Sequence, residues 1–303
     1  MMDLIIIGGS IAGTTAAVYA SRRKLDFVLL ASDLGGEVAL SGVVENWPTV
    51  NSTTGFEMAD QLKAQLIYNN VTIEEGFTVE KLEQVPGGWS ATATSLSGVT
   101  KTFEARAVII ATGVKPKKLG APGEEANYHH GVTYCTTCDG PLFKNKITTT
   151  IGGGNSALES ALMMAMLAKK VYVINKNDKF KGDQILIDKL AATPNVEIIY
   201  NALTQKIEGE GAVSGVTFTQ NGVPRTVESQ GVMIHIGNKA NSAFVPAEKD
   251  PLGQIMVDAL CRTNMPGLFA AGDVTNTPYK QIVVAAGMGC TAALAAIEYL
   301  NRL

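Results

Sequence analysis

Ile147-Thr148-Thr149-Thr150-Ile151 runs directly into Gly152-Gly153-Gly154-Asn155-Ser156-Ala157, and Leu158 to Ala168 follows with helical spacing. A short β-branched run, a glycine turn and a helix in that order form a dinucleotide fingerprint, here the complete G-x-G-x-x-A version. Glycine allows the tight turn and the close approach of a pyrophosphate, and the helix N-terminus offers it unpaired N–H groups. Lys170 to Ile174 reads as the next strand. The same grammar opens the chain. Asp3-Leu4-Ile5-Ile6-Ile7 is a buried-strand pattern, Gly8-Gly9-Ser10-Ile11-Ala12-Gly13 is the turn, and Thr14 to Ser21 is a helix rich in small residues. Ser10 stands at the usual second glycine, where its Cβ narrows the approach and its hydroxyl is a candidate donor to a phosphate. Asp26 to Ala31 reads as the second strand, with Asp33 a candidate for a ribose. A glycine turn can serve packing alone. Two correctly framed units in one chain point instead to two dinucleotide-type domains.

The 303 residues allow two domains, and a hydrophobic fraction of 46% supplies their cores. With a net charge of −3 and no Lys/Arg cluster, nucleic acid is not an expected partner. The longest apolar runs fall well short of the roughly 20 residues of a membrane span, so no membrane is expected. The first residues enter a strand pattern with no cationic leader, which gives a cytoplasmic expectation. Between the fingerprints, Gly55 to Asn69 has helical periodicity. Val71 to Glu75, Trp89 to Thr94, Thr100 to Phe103 and Ala107 to Ile110 read as strands, the last ending in Ala111-Thr112-Gly113. Beyond the second fingerprint, Val232 to Gly237 is a strand, Gly267-Leu268-Phe269-Ala270-Ala271-Gly272-Asp273 ends in a carboxylate suited to a polyol, and Tyr279 to Leu300 is a long helix. Cys290, inside that helix, is expected to be buried and inert.

Cys135-Thr136-Thr137-Cys138-Asp139-Gly140 precedes the second fingerprint. Two cysteines at this spacing can form a redox couple in which one thiolate attacks and the other resolves. Asp139 is then a candidate proton donor and acceptor. They can also be half of a zinc site, with His129 and His130 upstream at tolerable spacing. A pair of buried structural cysteines is the third reading. Cys261 and Cys290 stand apart from the pair.

Taken in order, G-x-S-x-x-G, Val44-Glu45-Asn46-Trp47-Pro48, Ala111-Thr112-Gly113, Cys-x-x-Cys-Asp-Gly, G-x-G-x-x-A and Gly267 to Asp273 resemble the low-molecular-weight thioredoxin reductases, from about Asp3 to Leu300. The resemblance implies an α/β fold of two Rossmann-like, three-layer ββα dinucleotide-binding domains, the second inserted in the first. Residues 1–113 and 244–303 would form an FAD-binding domain, and 114–243 a pyridine-nucleotide-type domain carrying the pair. FAD would be held by the turn Gly8, Gly9, Ser10, Ile11, Ala12 and Gly13, by Gly36, Glu37 and Asn46, by Ala111, Thr112 and Gly113, and by Gly272, Asp273, Lys280, Gln281 and Ile282. The second nucleotide site would comprise Gly152, Gly154, Asn155, Ser156, Ala157, Lys176 and Lys181. Cys138 would face the flavin, Cys135 would attack the disulfide of a thioredoxin-like protein, and Asp139 would handle the proton. A homodimer is implied, as is rotation of the inserted domain about linkers near Gly113-Val114 and Asn241 to Phe244. No metal is implied, since no further Cys or His motif completes a zinc site and His235 lies at a strand end in another segment.

Several positions depart from that family's pattern. Ser10 and Ile11 replace glycine and proline, Glu37 stands where glutamine is common, and Ala240 replaces a proline. The largest departure is Asn175-Lys176-Asn177-Asp178-Lys179-Phe180-Lys181, in place of a His-Arg-Arg start with a further arginine at 181. Lysine is a point charge and cannot make the bidentate fork of arginine on a phosphate. The NADPH grip is therefore incomplete, as in the ferredoxin-dependent branch of the family. A ferredoxin, another nucleotide or a second flavin in the second site are alternatives, as is a non-enzymatic flavin- or zinc-binding redox sensor.

Overall fold

The computed structural model describes every residue except Gly42, Glu45 and His129, with Val43, Thr137 and Cys138 described by backbone alone. The chain divides into two compact units, Met1–Lys115 with Lys239–Leu303, and Pro116–Asn238. The second unit is an insertion in the first, with limits slightly inside the expected 114–243.

The first unit opens with β1 (Met2–Gly9), α1 (Ile11–Arg22) and β2 (Phe27–Leu34). A short pair, β3 (Val43–Val44) with β4 (Thr53–Thr54), leads into α2 (Gly55–Tyr68). Thr54 and Glu57 start α2 as a reciprocal capping box. Then come β5 (Ile73–Glu75), β6 (Phe77–Val85), β7 (Gly88–Ser95), β8 (Thr100–Ile110) and a linker strand β9 (Val114–Pro116). The sheet order is β5-β2-β1-β8-β7-β6. The first four strands are parallel, and β6, β7 and β8 form an antiparallel meander. Central parallel strands are covered on both faces, which is why β1 reads as an unbroken apolar run. Leu4 and Ile6 join one core with Ala16, Ala17 and Ala20, while Ile5 and Ile7 join the other with Val79, Trp89 and Ala93.

The inserted unit repeats this plan. It contains β10 (Val132–Thr133), α3 (Thr136–Asp139), β11 (Ile147–Gly152), α4 (Asn155–Leu167), β12 (Lys170–Ile174), α5 (Gln184–Ala191) and β13 (Val196–Ile199). A meander of β14 (Ala202–Glu208), β15 (Gly215–Gln220) and β16 (Val223–Glu228) follows, then β17 (Gly231–His235) and a linker strand β18 (Asn238–Ala240). The parallel order is β10-β17-β11-β12-β13. The linker strands β18 and β9 pair with each other. The chain ends with β19 (Leu268–Ala270), which extends the first sheet beside β8, and α6 (Ile282–Leu300).

Four readings of the sequence need correction. Thr100 to Phe103 and Ala107 to Ile110 are one strand, β8, which pairs first with β7 and then with β19. The intervening Arg106 stays extended and pairs with Asp3. β6, β14 and β16 carry charged residues that mask their strand pattern, and the uncharged β15 between the last two is not read as a strand either. The last helix begins at Ile282 rather than Tyr279, because Gln281 is extended at φ −130° and ψ 145°. Finally, α6 is long and apolar enough by length and composition to cross a membrane, contrary to the expectation. Its glycines and threonine interrupt any apolar run, yet its average stays high. In the fold its small residues lie against α1: a Cβ on Gly289 would stand 2.1 Å from the Ala12 carbonyl oxygen.

Candidate active site

In the first unit, the glycine turn, the loop after β2, the end of β8 and the loop before α6 converge. A Cβ on Gly13 would lie 1.8 Å from the Gly8 carbonyl oxygen, so glycine is required for α1 to pack on β1. Ser10 behaves otherwise than expected. Its hydroxyl donates to the Gly35 carbonyl at 2.6 Å, so its proton holds the neighbouring loop and is not offered to a phosphate. Ser10 therefore does not cap α1, whose first-turn N–H groups have no side-chain acceptor among the described residues. Asp33 accepts from the Gly36 N–H and from the Ser32 hydroxyl, bracing the same turn.

Asp273 lies in the short turn after β19. Its Oδ1 is fully buried and has no hydrogen-bond partner among the described residues. Burial raises its carboxyl pKa, with the Lys280 charge opposing. A buried acceptor without a donor is unfavourable, and the hydroxyls of a flavin's polyol chain are donors of the required kind. The orphaned oxygen and the uncapped helix start together fit FAD. Lys280 does not act as a free ligand group. Its ammonium donates to Gln254 Oε1 at 2.7 Å, the Thr275 carbonyl at 2.6 Å and the Asp273 carbonyl at 3.0 Å. All three of its donors are used to brace the Asp273 loop. Asn46 donates to Gln281 Oε1 at 3.3 Å, joining two of the expected cofactor residues at the start of α6, next to Ile282. A Cβ on Gly272 would stand 3.1 Å from the Ala12 Cβ, and Ala111 donates its N–H to the Ile7 carbonyl. The Thr112 hydroxyl is engaged by the Asn241 carbonyl, whose N–H in turn bonds the Gly113 carbonyl. Glu37 and Gly36 form a 3-10 turn. Glu37 is exposed yet crowded by protein, and this desolvation raises its carboxyl pKa. Lys115 opposes the shift, while Asp273 and Asp33 add to it.

In the inserted unit, the redox motif starts α3. Cys135 is disulfide-bonded. The side chain of Cys138, like His129, lies outside the described residues, so the expectations placed on them are not located. A disulfide sulfur is not the thiolate a metal binds, so the zinc reading lacks its Cys135 ligand in this state. His130 is exposed in a turn. Thr133, absent from the expected site, holds the motif at its front. Its hydroxyl contacts Asp139 Oδ2 at 2.5 Å and accepts the Cys135 N–H at 3.0 Å. Tyr134 donates to the buried Glu124, which also accepts the Leu119 and Gly120 N–H groups. Burial first, then Glu124, pushes the Tyr134 hydroxyl well above its ordinary range.

Thr136 is 5% exposed and has two partners, Ser160 Oγ at 2.6 Å and His235 Nε2 at 2.8 Å. His235, set aside as belonging to another segment, is thus brought to the redox motif by the end of β17. Surrounding protein lowers its imidazole pKa to about 4. No spacing in the sequence joins residues 133, 136, 160 and 235. A polar residue at the end of β10 and of β17 and one buried serine within α4 were the only available signals. The isolated cysteines differ in kind. Burial raises the Cys261 thiol to about 11, with Asp258 adding. Cys290 is half-buried rather than buried, because the inward stripe of α6 is Ala285, Gly289, Ala292 and Ala296, and Cys290 lies beside it.

At the second fingerprint, Gly152 packs against His235 and Ala157, and Gly153 against the Asn175 side chain. Gly154 is different: a Cβ there would meet no atom within 4 Å, so the turn keeps an open face that a dinucleotide can approach. Asn155 and Asp183 tie the start of α4 to the loop before α5, and Ser156 is exposed. Asn175 is 2% exposed and braces its own loop, donating to the Lys179 carbonyl and accepting from the Asn177 N–H. Lys176 and Lys181 are exposed beside it.

Two Rossmann-type units, one bearing a disulfide-bonded cysteine before its glycine turn, define a nucleotide-dependent disulfide oxidoreductase. Residues 2–289 match the pyridine nucleotide-disulphide oxidoreductase family, and the chain belongs to it; FAD is the cofactor of that family. Among curated relatives, a component of the Escherichia coli K12 alkyl hydroperoxide reductase is 38% identical over 307 residues, covering 99% of this chain. The chain spans only 58% of that relative's length. Among solved structures, the Lactococcus lactis thioredoxin reductase aligns with a TM-score of 0.81 at 30% identity, covering both chains completely. The thioredoxin reductase of T. acidophilum aligns at 0.79 and 35% identity, covering 99% of this chain and 98% of its own.

Proposed function

We propose that the chain is an FAD-dependent dithiol–disulfide oxidoreductase that passes two electrons through Cys135 and Cys138 to the disulfide of a thioredoxin-like protein. The observation that carries this is the disulfide-bonded Cys135 within Cys-x-x-Cys-Asp-Gly, between two dinucleotide turns. FAD, when bound, supplies the electron pair. Reduction of the pair takes up two electrons and two protons and leaves two thiols. The Cys135 thiolate then attacks the partner disulfide and forms a mixed disulfide. Cys138 resolves it, restoring the closed pair and releasing the partner as a dithiol. Asp139, held by Thr133 through Oδ2, handles the proton exchanged at the leaving thiolate. The full-length match to solved thioredoxin reductases supports a thioredoxin-like recipient. The similarity to an alkyl hydroperoxide reductase component supports a second recipient, the disulfide of a peroxide-reducing protein.

The test pairs single substitutions with two recipients. Cys135→Ser and Cys138→Ser should each reduce turnover with a thioredoxin to background while retaining FAD. Cys138→Ser should accumulate a mixed disulfide with the recipient, visible by non-reducing electrophoresis. Near wild-type turnover in both variants would remove the redox assignment. A yellow protein with no turnover on either recipient would leave a flavin-bound sensor as the better reading.

A further inference from the structure

Thr136 lies inside the small ring that a Cys135–Cys138 disulfide closes, and its side chain is gripped from two directions. Ser160, on α4, contacts it at 2.6 Å, and His235, at the end of β17, contacts it at 2.8 Å. A threonine hydroxyl has one proton and two lone pairs, so it can serve both partners only if at least one donates to it. Ser160 and Thr136 are each 5% exposed, which limits the access of water to both hydroxyls. β17 is itself fixed, since His235 pairs in register with Gly152 of β11. The grip is therefore anchored in the parallel sheet rather than in a loop. The three side chains form a hydroxyl–hydroxyl–imidazole chain, buried at Ser160 and Thr136 and half-buried at His235, that the proposed electron-transfer steps do not use. Lowering of the imidazole pKa keeps the ring neutral, and hence able to serve as a single, oriented partner.

We propose that His235 is a positioning residue for the redox pair: through Thr136 it holds the Cys135–Cys138 ring in its closed geometry and makes the disulfide harder to reduce. The inference rests on the redox reading of the pair. Closing a disulfide depends on the effective concentration of one thiol at the other, and this rises when the intervening residue is held. Loss of one buried hydrogen bond should shift the closure equilibrium about five- to tenfold toward the dithiol. A tenfold shift is about 30 mV toward a less negative potential.

The experiment titrates the full-length, FAD-loaded protein anaerobically with reduced and oxidised dithiothreitol. Each reduced pair is matched by one dithiothreitol oxidised to its cyclic disulfide. Thiols are blocked with a maleimide, and the reduced fraction is read on the Cys135 peptide by mass spectrometry. This readout needs no turnover. His235→Ala should open at a dithiothreitol ratio about five- to tenfold less reducing than wild type, and His235→Gln, which can place an amide near the Nε2 position, should return most of the shift. Ser160→Ala should shift in the same direction by less. Thr136→Val, against Thr136→Ser, repeats the comparison should the histidine variants fold poorly. An unshifted His235→Ala, or an equal shift in Ala and Gln, overturns the inference while leaving the redox reading intact. A wild-type pair that never opens at any ratio overturns both.

Discussion

The clearest physical anomaly at the level of single residues is the Asp273 carboxylate, buried on one oxygen and left without a donor among the described residues. Its pKa is raised by burial, so the folded apoprotein resists its ionisation. A carboxyl whose folded pKa lies above its unfolded value binds more protons when folded, so stability falls as pH rises from about 4 through the folded value. Asp273→Asn should remove that penalty. Apoprotein melts should show the variant more stable than wild type at pH 7, with the gap closing as pH falls toward 4, while FAD retention on gel filtration should fall. An apo variant no more stable than wild type at pH 7 would mean that Asp273 finds a donor without FAD. The sequence identified this carboxylate because a strand ending in Gly-Asp is a local pattern. It did not reveal Ser160 or His235, whose contacts with the redox motif exist only after α4 and β17 pack around it, nor Thr133, whose bonds to Cys135 and Asp139 are local but follow no recognised pattern. Ser10 shows the opposite error: its position suggested a phosphate donor, and only the fold shows the Gly35 carbonyl already taking its proton.

Among the elements, both strand–turn–helix units were legible because periodicity, β-branching and glycine agree over a short window. β6 and the β14–β16 meander were not, because strand pairing on a half-exposed surface leaves little hydrophobic alternation, whereas β7 and the start of β8 read as strands. β16 is exposed at nearly every position and carries Pro224, an edge strand's composition. The glycines of the two turns also divide into kinds that their motifs conceal. Gly13 is demanded by packing, with its would-be Cβ 1.8 Å from a backbone oxygen, whereas the space beside Gly154 is open. Gly13→Ala should therefore displace α1 and destabilise the protein by about 2 kcal/mol or more, within the range of overpacked cores. Gly154→Ala should change stability by only a few tenths of a kcal/mol, since its φ of −98° suits any residue. The same methyl would crowd a pyrophosphate, so nucleotide affinity at the second turn should drop. Denaturant melts and nucleotide titration by calorimetry separate the two effects, and a large stability loss at Gly154 would show the open face to be illusory.

For the whole molecule the deciding question is which donor delivers electrons, and the inserted unit gives mixed signals. Its turn retains an open face at Gly154, but the loop that should grip a 2′-phosphate offers Lys176 and Lys181 as point charges, and its first position, Asn175, is consumed in bracing the loop. Replacing a forked arginine contact by a lysine or asparagine loses about 1–3 kcal/mol per contact. Two or three such losses weaken binding by several tenfold steps. NADPH should therefore reduce the flavin slowly and only at high concentration. The buried Asn175 also determines the repair: it must be kept, because a larger side chain there would break the bonds to Asn177 and Lys179. Lys176→Arg, Asn177→Arg and Lys181→Arg together should strengthen NADPH binding at least tenfold without disturbing the fold. Anaerobic stopped-flow bleaching of the flavin, with NADPH, NADH and reduced ferredoxin compared side by side, tests this directly. Rapid bleaching of the wild type at micromolar NADPH would sink the argument, because the exposed lysines would then suffice. Slow bleaching by NADPH in wild type and triple variant alike, with fast reduction by ferredoxin, would instead locate electron entry outside the second turn and leave that turn free for another ligand.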